Sequence, residues 1–283
     1  MTKNRLAYTE NLPNKPLGEA IFELRWALKP LVASVQGIQF EPLVQGVQHD
    51  PGFRILYGRF YDRLSNDYPL IEDLPISQMP EDMTPYVVRH RFRPSINAWP
   101  VAQIGPGIMT VNDTESYTWQ RFEPRVQAAI KTLFEAYPSQ LNELKLVSVQ
   151  LTYINSVPFD LSQQSITNFL RDNLHISVDV EPELFENQET AQHPLEFNMH
   201  MTFPLTKPRG AGILRFSNGM KNQNPAFVWQ TAIHSGDDRT PQDKEALSVW
   251  LNDAHDVAEK WFFTLIRGKL RDTFEVKHGH SQS

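Results

Sequence analysis

Apolar and polar residues alternate from Glu19 to Leu28, with Ala20, Phe22, Leu24 and Trp26 on one side and Glu19, Ile21, Glu23 and Arg25 on the other. A period of two is that of a strand laid on a core, so the first set is predicted to be buried. From Lys29 to His49 the glycines and Pro42 break every period, and the stretch reads as an irregular connection. Asp50 and Pro51 then mark a helix start, because an aspartate can cap and proline suits the first helical position. Phe53, Leu56, Tyr57, Phe60 and Leu64 follow at helical spacing. The four prolines between Tyr68 and Pro85 disfavour both helix and central strand, and predict a surface loop.

Alternation resumes from Tyr86 to Arg93, where Val88, His90 and Phe92 oppose Val87, Arg89, Arg91 and Arg93. Residues from Pro100 to Val111 read as a strand broken or tightly turned at Gly105-Pro106-Gly107. Phe122, Val126, Ala129, Ile130, Leu133 and Tyr137 then form one helical stripe that ends at Pro138. The second half opens with a strand from Lys145 to Val157. A short helix carrying Ile166, Phe169, Leu170 and Leu174 follows, capped by Ser162. Beyond an acidic loop from Glu181 to Glu189 come strands from Leu195 to Phe203, Gly212 to Asn218 and Ala226 to His234, with turns between Pro204 and Gly210 and at Asn218-Gly219. Thr240-Pro241-Gln242-Asp243 announces the clearest helix, whose stripe is Leu247, Leu251, Ala254, Val257, Ala258, Trp261 and Leu265.

Both halves thus run strand, helix, strands, helix. The fold class predicted is α+β, built as two related modules, each an antiparallel sheet with helices on one face. The modules span residues 1–140 and 141–276, and 277–283 form a polar tail. The chain of 283 residues is long enough for a large core, and 40% of it is apolar. Met1 to Glu10 lacks the apolar stretch of a secretory signal, and no run reaches the roughly 20 apolar residues of a membrane span. The sequence therefore predicts a soluble, cytoplasmic protein without membrane association.

Cysteine is absent, which removes disulfides, thiolate metal sites and thiol nucleophiles together. None of the nine histidines falls in a metal-binding or metalloenzyme spacing, so neither a metal nor a cofactor is expected. His255 and Asp256 sit about 100° apart on a helix, a poor arrangement for co-ligands, and a surface or interface role is the default for His255. Gly105-Pro106-Gly107 lacks the lysine and the further glycines of a phosphate loop, and reads as a tight turn or bulge flanked by Gln103 and Asn112 as hydrogen-bond partners. Common motif-bearing enzyme classes are likewise without support.

Four segments carry a family resemblance. The run Asn14-Lys15-Pro16-Leu17-Gly18-Glu19-Ala20-Ile21-Phe22-Glu23-Leu24-Arg25-Trp26 resembles an opening signature. Trp99 to Gly107, with Asn112, Tyr117, Trp119 and Phe122, resembles a central block; Tyr153-Ile154-Asn155 and then Ala254-His255 with Phe262 complete the pattern. The family is a sporadically distributed group of bacterial proteins of similar length whose function is not established. Its irregular distribution implies mobile genes, such as those of defence or toxin–antitoxin islands.

One surface stands out for recognition. Arg89, Arg91 and Arg93 share a strand face at period two, about 6.5 to 7 Å between successive side chains, a spacing that suits carboxylates or phosphates. Arg25, His200 and Arg215 join them if the two sheets lie side by side. The competing reading is a solvated face, since a strand with one buried face exposes polar groups on the other. The leading functional expectation is a binding or regulatory protein, not an enzyme, that recognises a protein partner or a second copy of itself. The alternatives are nucleotide or nucleic-acid binding through the arginine face, which the net charge of −6 disfavours, and an enzyme with an unfamiliar histidine and carboxylate site.

Overall fold

Ala20, Phe22, Leu24 and Trp26 have no exposed surface, as their alternation predicts. They belong to strand β1, Leu17–Trp26, at the middle of one antiparallel sheet. The computed structural model describes residues 12–30, 34–35, 38–39, 48–114, 116–185 and 194–275. The expectations about the opening residues 1–10 and the tail 277–283, and much of those about 31–47 and 186–193, lie outside the described residues.

The remaining strands of the sheet are β2, Leu70–Asp73; β3, His90–Arg93; β4, Val101–Gly105; β5, Ile108–Asp113; β6, Leu146–Pro158; β7, Asn198–Thr206; β8, Arg209–Lys221; and β9, Asn224–Gly236. Their order in space is β7-β8-β9-β6-β1-β5-β4-β3-β2. The helices are α1, Phe53–Leu64; α2, Trp119–Ala136; the short α3, Ile166–Phe169, continued by a wider turn to Leu174; α4, Lys244–Leu265; and α5, Lys269–Glu275. The protein is therefore α+β with a large antiparallel sheet. The two halves do not form two sheets, however: β1 pairs with β6 from Leu17 opposite Asn155 to Trp26 opposite Leu146, which fuses them into one. In each half the opening strand pairs with the last strand of the meander that follows, β1 with β5 and β6 with β9. That shared order is a fact of topology and does not by itself establish a duplication.

All the described helices that enter the core do so from one side. Around β1, β5 and β6 the apolar faces of α1, α2 and α4 close the larger core, with Phe60, Phe122, Leu133, Leu247 and Leu251 fully buried. A second core joins Phe216, Phe227 and Trp229 of β8 and β9 to Leu170 of the turn after α3 and to Leu270 and Phe274 of α5. Leu151 and Leu251 are buried as predicted, whereas Tyr153, Trp261 and Leu265 are only half-buried.

Several local expectations change for identifiable reasons. The segment after Tyr68 is not all loop, because Leu70–Asp73 adds an edge strand against β3. Edge strands tolerate nearby prolines, since half of their backbone groups face away from the sheet. The region from Pro100 to Val111 is two strands, and Pro106 with Gly107 at φ +76° turns the chain between them. Proline followed by a residue of positive φ fits a type II turn, and a side chain on Gly107 would also meet Tyr86 and Leu28. The β8–β9 turn falls at Asn222 and Gln223, both at positive φ, and not at Asn218-Gly219, which are paired within the sheet.

Caps shift as well. Asp50 accepts from the Gly52 backbone N–H at 2.9 Å, one turn ahead of α1, and does not cap the helix. Ser165, not Ser162, caps α3. Asp243 caps α4 by accepting from Ala246, while Thr240 donates to the Val147 carbonyl on β6. Each of these residues is a competent hydrogen-bonding group, and only its tertiary neighbours decide which backbone it serves.

Candidate functional site

Register decides which side chains share the face away from the helices. Arg25 on β1 lies opposite Ile108 and Ser148, and Arg215 on β8 lies between His200 on β7 and Gln230 on β9. Arg91 lies opposite Gln103, so Arg25, Arg91, Arg93, His200 and Arg215 all belong to this open face. They do not converge. From β8 to β3 there are six strand-to-strand steps, and at about 4.8 Å per step Arg215 and Arg91 stand roughly 29 Å apart across the sheet.

The arginines near β3 are engaged. Arg93 Nε donates to Glu72 Oε2 at 2.8 Å, and Arg91 Nη1 reaches the same oxygen at 3.3 Å. These bonds, that from Arg93 foremost, hold the Glu72 carboxyl below the usual carboxylate range. Arg91 Nε also donates to Gln103 Oε1 at 2.8 Å. From there a polar ladder crosses three strands: Gln103 donates to Thr110 and to Asn112 Oδ1, and Asn112 donates to Glu19 at 2.8 Å. Arg25 lies 2.8 Å from Glu23 and 5.6 Å from the centre of the Tyr86 ring.

Arg89 corrects the expectation outright. Its side chain is buried, with Nη1 donating to Thr84 Oγ1 at 2.5 Å and Nη2 donating to the Ser77 and Met79 carbonyls at 2.7 and 2.5 Å. It ties down the segment after β2 and is not offered to solvent. At the far end of the sheet, Arg215 and His200 are exposed and border an open depression with Ser217, Val228 and Gln230. His200 Nε2 is 3.2 Å from Thr202 Oγ1.

A second constellation lies on the helix side, and the sequence reading missed it. Tyr117 and Tyr153 share a 2.8 Å hydrogen bond between their hydroxyls, and Tyr153 Oη lies 2.9 Å from His255 Nδ1. His255 is buried against the Trp119 ring, 3.7 Å between centroids and nearly parallel, which overturns the surface role expected for it. Its Nε2 is 4.0 Å from Glu259 one turn along α4. Burial raises both phenols well above the usual tyrosine range, so they stay protonated and act as neutral hydrogen-bonding groups. Lys15 Nζ donates to the Tyr117 carbonyl at 3.1 Å, bringing the chain ahead of β1 to the same place.

The four segments quoted for the family resemblance meet here: Lys15 to Leu17, Tyr117 with Trp119, Tyr153 with Asn155, and His255 with Phe262 border one pocket or its wall. They lie 36 to 102 residues from one neighbour to the next in sequence, and periodicity reports only faces within one element. The one usable signal was that polar members of those segments, Tyr153 and His255, fell on or beside stripes otherwise apolar. Among the described residues no three His, Asp or Glu side chains gather as a metal site would require.

Fold and sites together define an α+β protein whose nine-stranded antiparallel sheet is covered by helices on one face; on the other, among the described residues, Val101, Gln103, Ile108, Thr110 and Asn112 of β4 and β5 are buried and the β7–β8 end is exposed. No protein family's profile matches the chain, and no curated protein matches it. Among solved structures it aligns with the crystal structure of DynU16, from the dynemicin biosynthetic locus, over 72% of this chain and 94% of that one, at 11% identity and a TM-score of 0.20. A likeness of that size carries no argument about fold or activity. Among the described residues no helix is long and apolar enough to cross a membrane.

Proposed function

We propose that this chain is a binding protein that recognises a protein partner across the open sheet face, with Arg215 as its charged contact. One observation carries the reading. Helices α1 to α5 pack on the opposite face, and the β7–β9 end of this one sets the exposed Arg215 and His200 beside half-buried Ile213, Val228 and Gln230. Arginine is enriched at protein interfaces relative to the rest of the surface. A guanidinium fork selects a carboxylate, so an acidic side chain of the partner is the group that fits Arg215.

Nucleic acid fits less well. Arg91 and Arg93 share Glu72, Arg25 adjoins Glu23, Arg89 is buried, and the chain as a whole is acidic at −6. What remains does not make a row of free cations that could release counterions from a phosphate backbone. A defence or toxin-neutralising setting, implied by the family resemblance, agrees with a protein partner.

The test is affinity capture from the native host with the wild-type chain and with Arg215→Glu. The wild type is expected to retain a protein in near-stoichiometric amount, and the variant to lose it by roughly tenfold or more with thermal unfolding unchanged. Equal capture by both would overturn the assignment, and retention of nucleic acid in place of protein would replace it.

A further inference from the structure

The pocket that contains Tyr117, Tyr153 and His255 lies on the helix side of the sheet, remote from the open face, and stands independently of the reading above. Five separated parts of the chain border it: the segment leading into β1, the segment ahead of α2, β6, β9 and α4. Its surface is dominated by carbon, from Leu17, Ala258, Phe262 and the two tyrosine rings. The polar groups inside mostly serve one another, since Tyr117, Tyr153 and His255 form a single hydrogen-bonded chain.

Thr231 is not part of that chain. It faces Tyr153 across the β6–β9 pair and borders the pocket with 1% of its surface exposed, yet its hydroxyl has no hydrogen-bond partner among the described residues. Buried hydroxyls nearly always have a partner, and one without it at the border of a pocket calls for an explanation that a bound molecule would supply. We propose that this pocket binds the end of a small uncharged ligand, an apolar body bearing one hydroxyl or amide group, with that group bonded to Thr231 Oγ1 and the body held against Leu17, Phe262 and Ala258.

Size and charge both narrow the class. The enclosed space is about 40 Å³, room for about three waters or a similar number of ligand heavy atoms, so only the tip of a larger molecule enters. The half-buried Lys15 and Glu259 set one charge of each sign among the bordering residues, which gives no net attraction for an ion. The desolvation that raises both phenols well above the usual tyrosine range would penalise a charged ligand in the same way.

Nuclear magnetic resonance titration of the full isotope-labelled chain tests the assignment, with 2-propanol and acetamide as neutral probes and acetate and ethylammonium as charged ones. The neutral probes are expected to give saturable millimolar shifts centred on Thr231 and Phe262, and the ions none. Thr231→Val removes only the unpartnered hydroxyl; it should weaken the neutral probes by roughly fivefold without lowering thermal stability. Ala258→Leu should fill the space and abolish binding, which keeps the test open if the valine variant folds poorly. Absence of saturable shifts would show that the space holds water only and would overturn the proposal. Equal binding of the ions, or undiminished binding by Thr231→Val, would also overturn it. Because Arg215 lies on the other face, Arg215→Glu should bind the neutral probes like the wild type, so the two assignments fail separately.

Discussion

Trp26 Nε1 donates to Asp50 Oδ2 across 2.7 Å, joining the last residue of β1 to the turn ahead of α1. The same carboxyl group accepts from the Gly52 and Gly107 backbone N–H groups and from the Tyr137 hydroxyl, at 2.9, 3.3 and 2.9 Å. Four donors from four stretches of chain therefore meet at one residue with 4% of its surface exposed. Removing it would strand all four in an apolar setting, where each buried unsatisfied donor costs about 1 to 3 kcal/mol. Asp50→Ala is expected to lose at least about 3 kcal/mol of stability in urea unfolding; a loss below about 1 kcal/mol would show that water readily replaces the carboxyl.

The arginines separate into structural and exposed classes. Arg89→Ala should destabilise the protein by about 2 to 4 kcal/mol, because its guanidinium holds Thr84 Oγ1 and two carbonyls of the segment after β2. Arg215→Ala should stay within about 0.5 kcal/mol of the wild type, as substitutions at exposed positions without such bonds usually do. Thermal melts of both variants decide the matter, and equal stabilities would refute the distinction.

Asp113 has a pH signature. It is fully buried at the end of β5, and desolvation raises its pKa above the ordinary carboxylate range despite the hydrogen bond from the Thr114 N–H. A carboxyl group with a raised folded pKa stabilises the fold while protonated, below its unfolded value, and that contribution is lost as pH rises through the folded value. Asp113→Asn keeps an acceptor for Thr114 and carries no charge. The variant is expected to melt higher than the wild type at neutral pH, with the advantage vanishing in acid; a constant difference at all pH values would assign the effect to packing.

The elements themselves were legible wherever one face of a single segment is buried. Ala20 to Trp26, the α2 stripe through Phe122 and Leu133, and Leu247 to Ala258 on α4 are placed as their periods predict, because burying one side of a strand or helix imposes a spacing that survives in the sequence. Alternation also put Arg25, Arg91 and Arg93 on the face away from the core.

Pairing between distant segments lay beyond such signals. That β1 joins β6 and makes one sheet of two halves depends on backbone bonds whose formation leaves no mark on either strand's alternation. Arg89 shares the period of Arg91, yet the chain after β2 folds over it and supplies three acceptors, which turns a solvent-facing position into a buried anchor. The pocket shows the same limit. Tyr117, Tyr153, Thr231 and His255 belong to four separate segments, and only the stacking of sheet and helix brings the tyrosines and the histidine within hydrogen-bonding reach and leaves the Thr231 hydroxyl unpaired beside them among the described residues. Sequence fixes the face that each residue takes within its element, since that follows from local backbone geometry. What meets that face is decided by tertiary packing, because contacts between segments a hundred residues apart are set by the global minimum of burial and hydrogen bonding and not by any local period.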